Sequence, residues 1–351
     1  VAAGVVIPPT PLGRRGRPRW QVIRALLEEA PHPSRAVEEN LADLAAALAS
    51  VRLGERALVE LVEHHGRPAV VEAMESVFHR AAAAMRAALG RLGDGRRRAR
   101  ELLDDGSPLQ VEVDIRGETA VVDFTGSAPV HPGNLNATPA IVSSAVIYVL
   151  RLLVGEPLPL NEGLLEPVRL IVPEGILAPE FGADPERAPA VVGGNVETSQ
   201  RLVDTLLKAL GVVACSQGTM NNVIFGDAVM GYYETVAGGC GAGPGFNGAS
   251  GVHSHMTNTR ATDPEVLEHR YPVVLERFAL RRGSGGVGRF SGGDGLVRRL
   301  RFLAPLTVSI LSQHRGEGPY GAAGGGAGRP GRQWIERADG TVVPLGAVDG
   351  A

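Results

Sequence analysis

The chain has 351 residues, 44% of them apolar and 21% charged, with a formal net charge of −3. That length spans two domains or one large one and carries enough apolar side chain to offset ordering entropy, which excludes a wholly disordered chain. The near-neutral balance offers no bulk field for nucleic acid, and no apolar run reaches the roughly 18 residues of a membrane-spanning helix. Cys215 and Cys240 form no C-x-x-C pair, so a four-sulfur zinc site within the chain is excluded, and both are expected reduced and buried in a cytoplasmic protein. Lys208 is the only lysine and lies between Leu207 and Ala209, so no Walker A loop is present.

In chain order, Ser34 is placed to cap a helix through Val37, Leu41, Leu44 and Leu48. A second helix is expected over about 54–65, stopped by Gly66, and a third begins near Pro68 and runs through Val71, Met74, Phe78 and Met85. The helical part is expected to reach about Arg100, with Arg96-Arg97-Arg98 read as a solvated basic face. Alternation then predicts a hairpin, 109–115 with 119–124, turning at Arg116-Gly117, and Asp123 suits an Asx turn at its end. Thr138 caps an apolar helix to about Leu153, followed by Gly155, and 168–172 reads as a buried strand between two prolines. From Val191 glycine becomes dense; 47 glycines without a fixed repeat point to tight turns and close backbone approaches in a β-rich body. The fold class expected is α+β, with a helical segment over 1–105 and a glycine-rich body with packed helices over 106–351.

Four clusters carry candidate chemistry. Gly193-Gly194-Asn195 opens a helix over 201–210, and a helix start offers free backbone N–H groups to an oxyanion or carbonyl. Glu197, Thr198, Ser199 and Gln200 follow, residues costly to bury idly, although a capped helix after a turn explains the same pattern. Gln217, Asn221 and Asn222 suit a substrate amide, because each side-chain amide both donates and accepts; a hydrogen-bonded turn is the plainer reading. His253 and His255, at i and i+2, share one face if the segment is a strand, which suits a metal, a shared anion or structural hydrogen bonding, and Asn258 lies just beyond.

Together with Val121–Ser127, Leu160-Asn161-Glu162-Gly163, Tyr232–Gly239, Gly251–Arg260, Thr262-Asp263-Pro264-Glu265 and Arg289–Gly295, these clusters stand in an order that resembles the hydantoinase B/5-oxoprolinase family over nearly the whole chain. The resemblance implies the B-type subunit of an ATP-dependent hydrolase of cyclic amides such as 5-oxoproline, the chemistry of glutathione metabolism, or a hydantoin. It implies a hetero-oligomer in which ATP is handled by a hydantoinase A-type partner. It also implies a divalent metal in the complete enzyme, with ligands in a part preceding Val1. A carboxylase subunit on the same scaffold and a non-catalytic docking module are the alternatives. On residue chemistry, Gly194, Asn195, Thr198, Gln217, Asn221, Asn222 and Asn258 are expected to bind substrate. His253, His255 and Glu197 are expected to move protons.

Overall fold

The computed structural model describes residues 5, 7–182, 184 and 187–350. Two units divide the chain, one within 1–80 together with 228–231, the other over 81–227 and 232–351.

In the first unit a two-residue ribbon, β1 (Gly13–Arg14) with β2 (Arg17–Pro18), precedes α1 (Trp20–Glu28), which buries Ile23 and Leu27. The long helix α2 (Val37–His65) follows. Ser34 does not cap it directly: its hydroxyl accepts from the Ala36 amide at 3.1 Å and donates to Asn40 at 2.5 Å, while Ala36 is the capping position. The break expected at Gly54 is absent, because a glycine in a helix interior costs only about 1 kcal/mol and nothing else interrupts the turn. Gly66 ends α2 with φ of +80°, a value that suits glycine. The helix α3 (Arg67–Leu92) starts in this unit and ends in the other.

The second unit is built on two four-stranded sheets. From the end of α3, Met85 and Leu89 enter its core. The helical part stops short of Arg100, since 95–102 is a strand, β3 (Gly95–Leu102). Its alternating arginines find carboxylates on the neighbour: Arg96 lies 3.4 Å from Asp114 and Arg98 pairs with Glu112. The hairpin β4 (Pro108–Arg116) and β5 (Thr119–Asp123) forms as the alternation demands, burying Leu109, Val111, Val113 and Ile115, and Asp123 accepts from the Thr125 amide at 2.8 Å as an Asx turn. Then come α4 (Pro139–Val154), capped by Thr138 and closed by Gly155 at φ +69°, and β6 (Val168–Ile171). The first sheet runs β3-β4-β5-β6, and the single parallel pair, β5 with β6, is the one joined through a helix.

A short π-helical turn, 194–198, leads into α5 (Ser199–Leu210), which packs on β3, β4 and α4. Beyond it, β7 (Asn222–Gly226) and β8 (Gly231–Thr235) belong to the second sheet. After α6 (Pro264–Arg270), β9 (Val273–Arg281) and β10 (Gly295–Phe302) form a ribbon with a register shift at Arg299/Leu300. The strand β11 (Thr307–Leu311) returns to the second sheet, β12 (Gln333–Glu336) and β13 (Val342–Leu345) make another ribbon, and β14 (Val348–Gly350) completes the sheet in the order β14-β11-β7-β8. The architecture is α+β. No helix among the described residues is long and apolar enough to cross a membrane.

Continuity of α2 has a direct check. Gly54→Ala, at an open helical position, is expected to stabilise by about 1 kcal/mol and to raise the helical circular dichroism at intermediate temperatures. A destabilised variant would mean the helix is broken there.

Candidate active site

The site grows from one helix face. Glu197, Arg201 and Asp204, spaced i, i+4, i+7, lie on one side of the π-turn and α5, and all three are buried. Leu202, Val203, Leu206 and Leu207 occupy the core side. Polar groups so placed require partners, and the loops of the second unit supply them.

Asp204 Oδ1 accepts from the Ser216 amide at 3.1 Å and lies 3.2 Å from His255 Nε2, and His255 Nδ1 lies 3.2 Å from the Tyr148 hydroxyl on α4. Burial opposes ionisation of Asp204, but His255 and the Ser216 amide outweigh it and hold the carboxyl below its ordinary range. Burial raises the Tyr148 hydroxyl. With an anionic Asp204, Nε2–H of His255 donates to the carboxylate and Nδ1 accepts from Tyr148, a continuous hydrogen-bonded line across three elements.

Arg201 takes the other side. Its guanidinium lies 3.6 Å from Asp104 and 3.8 Å from Glu101, and Nη1 contacts the His314 ring at Nε2. His314 is lowered to about pKa 4 by burial and then by Arg201, so the ring is neutral at pH 7. Its Nδ1 lies 2.9 Å from the Glu317 carbonyl, which places the ring proton on Nδ1 and leaves the Nε2 lone pair for Arg201. Between these groups runs the turn Gln217-Gly218. Gly218 has φ of +65°, and a Cβ there would meet the His314 ring at 2.5 Å and Asp204 Oδ2 at 3.3 Å, so only glycine fits. The non-glycine residues Asn221, His255 and His314 all hold positive φ, of 51°, 54° and 58°, and all three stand around this turn. Such backbone costs of order 1–3 kcal/mol per residue and gathers where surroundings over-determine it, commonly at functional sites.

The sequence candidates fare differently. Gln217 is buried, yet neither its side-chain nitrogen nor its oxygen has a hydrogen-bond partner among the described residues, and it lines a cavity of about 1370 Å³. Glu197 accepts at Oε1 from Asn222 Nδ2 at 2.8 Å and from the Met220 amide at 3.3 Å. Burial raises its pKa to about 8, with the Thr219 hydroxyl and Met220 amide opposing, so it is a neutral acid at pH 7. Asn222 is committed to Glu197, the Leu311 carbonyl and Tyr233, and Asn221 to the Val236 carbonyl and, at 2.7 Å, to Arg315. Both hold the frame around Gln217. Thr198 donates to the Leu135 carbonyl.

Three expectations are corrected. The helix start offers no free N–H at Gly193 and Gly194: these donate to Asn134 and Val191 at 2.7 and 3.0 Å, and Gly194 is a close approach, where a Cβ would lie 2.0 Å from the Asn136 carbonyl oxygen. Asn195 is exposed and its side chain caps nothing, so the helix is entered through the π-turn. His253 and His255 do not share a strand face, because 253–260 is loop and His255 takes positive φ. His253 Nδ1 is buried without a partner among the described residues and burial lowers its pKa, while no hydrogen bond joins it to Asp204. Asn258 is exposed, whereas Gln200 clamps the same loop at Ser254, Met256 and Thr257. Cys215 is buried, 3.8 Å from His314, and Cys240 is half-buried; both are free thiols. Among the described residues no group of three His, Cys, Asp or Glu side chains has metal-holding geometry.

Sequence reasoning missed Tyr148, Asp204 and His314. The available signal was the i, i+4, i+7 spacing of Glu197, Arg201 and Asp204 on a helix whose opposite side is apolar.

The architecture is that of an α+β protein whose buried acid–imidazole cluster borders a glycine-walled cavity. The model for hydantoinase B/oxoprolinase matches residues 1–349, and the chain belongs to that family. Over 330 residues it is 46% identical to 5-oxoprolinase 1 of Arabidopsis thaliana, covering 89% of this chain and 26% of that relative. The crystal structure of an ATP-dependent caprolactamase from Pseudomonas jessenii superposes with a TM-score of 0.83 at 26% identity, covering 98% of this chain and 63% of that one. Nucleotide-free acetone carboxylase shares the fold, with a TM-score of 0.68 at 19% identity, over 80% of this chain and 41% of that one. The chain thus spans about a quarter of the length of the 5-oxoprolinases it matches.

The neutral Glu197 fixes a pH dependence. Its folded pKa of about 8 lies above the ordinary 4.5, so the unfolded state ionises first as pH rises. The contribution of Glu197 to stability is full below about pH 4.5 and is lost progressively up to about pH 8. Glu197→Gln is expected to flatten that part of the melting-temperature curve relative to the wild type. Parallel curves would show an ionised Glu197.

Proposed function

We propose that this chain is the B-type part of an ATP-dependent amidohydrolase that opens a cyclic amide of the 5-oxoproline or hydantoin class. The observation that carries this reading is the buried, unpartnered amide of Gln217, on a turn flanked by the positive-φ residues Asn221, His255 and His314 and beside the Asp204–His255–Tyr148 line. A side-chain amide offers an NH2 donor beside a carbonyl acceptor, the complement of a ring amide's acceptor and N–H, and its own burial is costly until such a partner arrives. Gln217 orients the ring. His255, backed by Asp204, takes at Nδ1 the proton of a water that bonds to the activated ring carbon, directly once Tyr148 moves aside or relayed through the Tyr148 hydroxyl, and returns it to the ring nitrogen as the C–N bond breaks; a second water then releases phosphate from the acyl phosphate left behind. Glu197, a neutral acid, keeps Asn222 and the Met220 amide in place from behind.

An unactivated amide is a weak electrophile. ATP, handled by an A-type partner or domain, supplies the activation by phosphorylating the amide oxygen. The relatives support this reading, since a 5-oxoprolinase is among them and the caprolactamase is described as ATP-dependent. A divalent metal, if the longer protein binds one, takes its ligands from outside the clusters described above, and the residues here keep the roles just given.

The test is ATP-dependent ring opening of 5-oxoproline and of hydantoin by the longer protein with its A-type component, with bicarbonate fixation measured in parallel. Gln217→Ala is expected to raise KM by about tenfold or more, matching the loss of paired buried hydrogen bonds, with an unchanged melting temperature. His255→Ala is expected to lower kcat by about a hundredfold or more. Unchanged kinetics in both variants, or bicarbonate consumption in place of ring opening, would overturn the assignment.

A further inference from the structure

The wall of the cavity beyond Gln217 carries an excess of arginine that the proton line does not use. Three arginines of the β10 strand are neutralised: Arg298 lies 2.7 Å from Glu234, Arg299 lies 2.9 Å from Glu276 and 2.6 Å from Glu336, and Arg301 lies 2.9 Å from Glu276. Arg281, Arg315, Arg329 and Arg332 line the same cavity, and none has a carboxylate within ion-pair distance among the described residues.

Their arrangement is fixed by backbone. The segment Arg329-Pro330-Gly331-Arg332 passes between two guanidinium groups. Arg281 Nη1 donates to the Pro330 carbonyl at 2.8 Å, while a Cβ on Gly331 would lie 1.9 Å from Arg315 Nη1. The segment is itself pinned by the Arg329 amide on the Ser284 carbonyl and the Gly331 amide on the His314 carbonyl, both at 2.8 Å. Arg315 is held by neutral acceptors only, the Gln313 carbonyl at 2.9 Å, Asn221 at 2.7 Å and Gln333. Four positive charges therefore gather without a direct ion pair, Asp104 acting on Arg315 only through space, and the mutual repulsion registers at Arg281, whose pKa is lowered by burial and then by Arg332 and Arg329.

Such a set is unfavourable alone and favourable around a multiply charged oxyanion, which planar guanidinium forks bind in pairs. We propose that Arg281, Arg315, Arg329 and Arg332 form a binding site for a small phosphoryl oxyanion. For the source of that oxyanion the inference rests on the proposed function: it is the phosphate carried by the activated amide, whose ring Gln217 receives from the same cavity. The Arg315–Asn221 hydrogen bond joins the two subsites.

The test is calorimetric titration of the purified full chain with inorganic phosphate, and separately with ADP, in about 0.15 M chloride to screen diffuse attraction. Saturable phosphate binding is expected. The R329A/R332A double variant, on two exposed side chains, and R281A are each expected to weaken it about tenfold or more, whereas R301A, which removes an already paired charge from the same cavity, is expected to change it less than about twofold. Melting curves identify any variant that does not fold, and R329A/R332A then decides alone. No saturable binding, an equal loss in R301A, or ADP binding more tightly than phosphate through the same arginines would overturn the site. Failure here with ring opening still dependent on Gln217 would remove the oxyanion site and leave the proposed function standing.

Discussion

The burial of Arg201 and Asp204 on α5 is the constraint on which the second unit's functional face depends. Taking a guanidinium and a carboxylate out of water costs several kcal/mol per ion unless close partners replace the solvent. Those partners come from widely separated parts of the chain: Glu101 in β3 and Asp104 just after it, Ser216 before β7, His255 in the long loop, His314 after β11. Asp104 completes the bracing by accepting from the His314 amide at 2.9 Å and the Arg315 amide at 2.6 Å. The loops are thus held by charge satisfaction where regular sheet hydrogen bonding is absent.

Glycine makes that convergence sterically feasible. The segments around 239, 248 and 293 touch backbone to backbone: a Cβ on Gly239 would lie 1.9 Å from the Gly293 carbonyl oxygen, and one on Gly248 would lie 1.9 Å from that of Cys240. No other residue permits such approach. The high glycine content is therefore the physical condition for a cavity walled by peptide groups and lined at its rim by long arginine side chains.

Local rules made much of the frame legible. Alternation from Leu109 to Ile115 and the Thr138 cap with Gly155 each act within a few residues, and the hairpin and α4 follow them closely. Gly54 misled because helix continuity is decided by the sum of neighbouring propensities, and one glycine does not outweigh a run of alanine and leucine. The candidate site was half legible. Gln217 and His255 stand out by residue type, and they do meet the same turn. His253 and His255 share no face because the loop's conformation is dictated by Gln200, Asp204 and Tyr148, which are distant in sequence. Asp204 was hidden because on a helix a charged residue reads as solvent-facing until the element that covers it is known, and His314 because its partners Arg201 and Cys215 lie about a hundred residues earlier in the chain. Membership of the hydantoinase B/oxoprolinase family was carried by the order of several polar clusters, a property of the whole chain that survives such local errors.

The site depends on the protonation states around α5, and nitrogen-15 NMR of the histidine rings across pH measures them most directly. At pH 7 His314 is expected to be neutral with its proton on Nδ1, and to stay neutral until pH falls to about 4. A His314 ring that takes up its second proton near the ordinary 6.5, or that carries its proton on Nε2, would contradict the buried network from which the site is built.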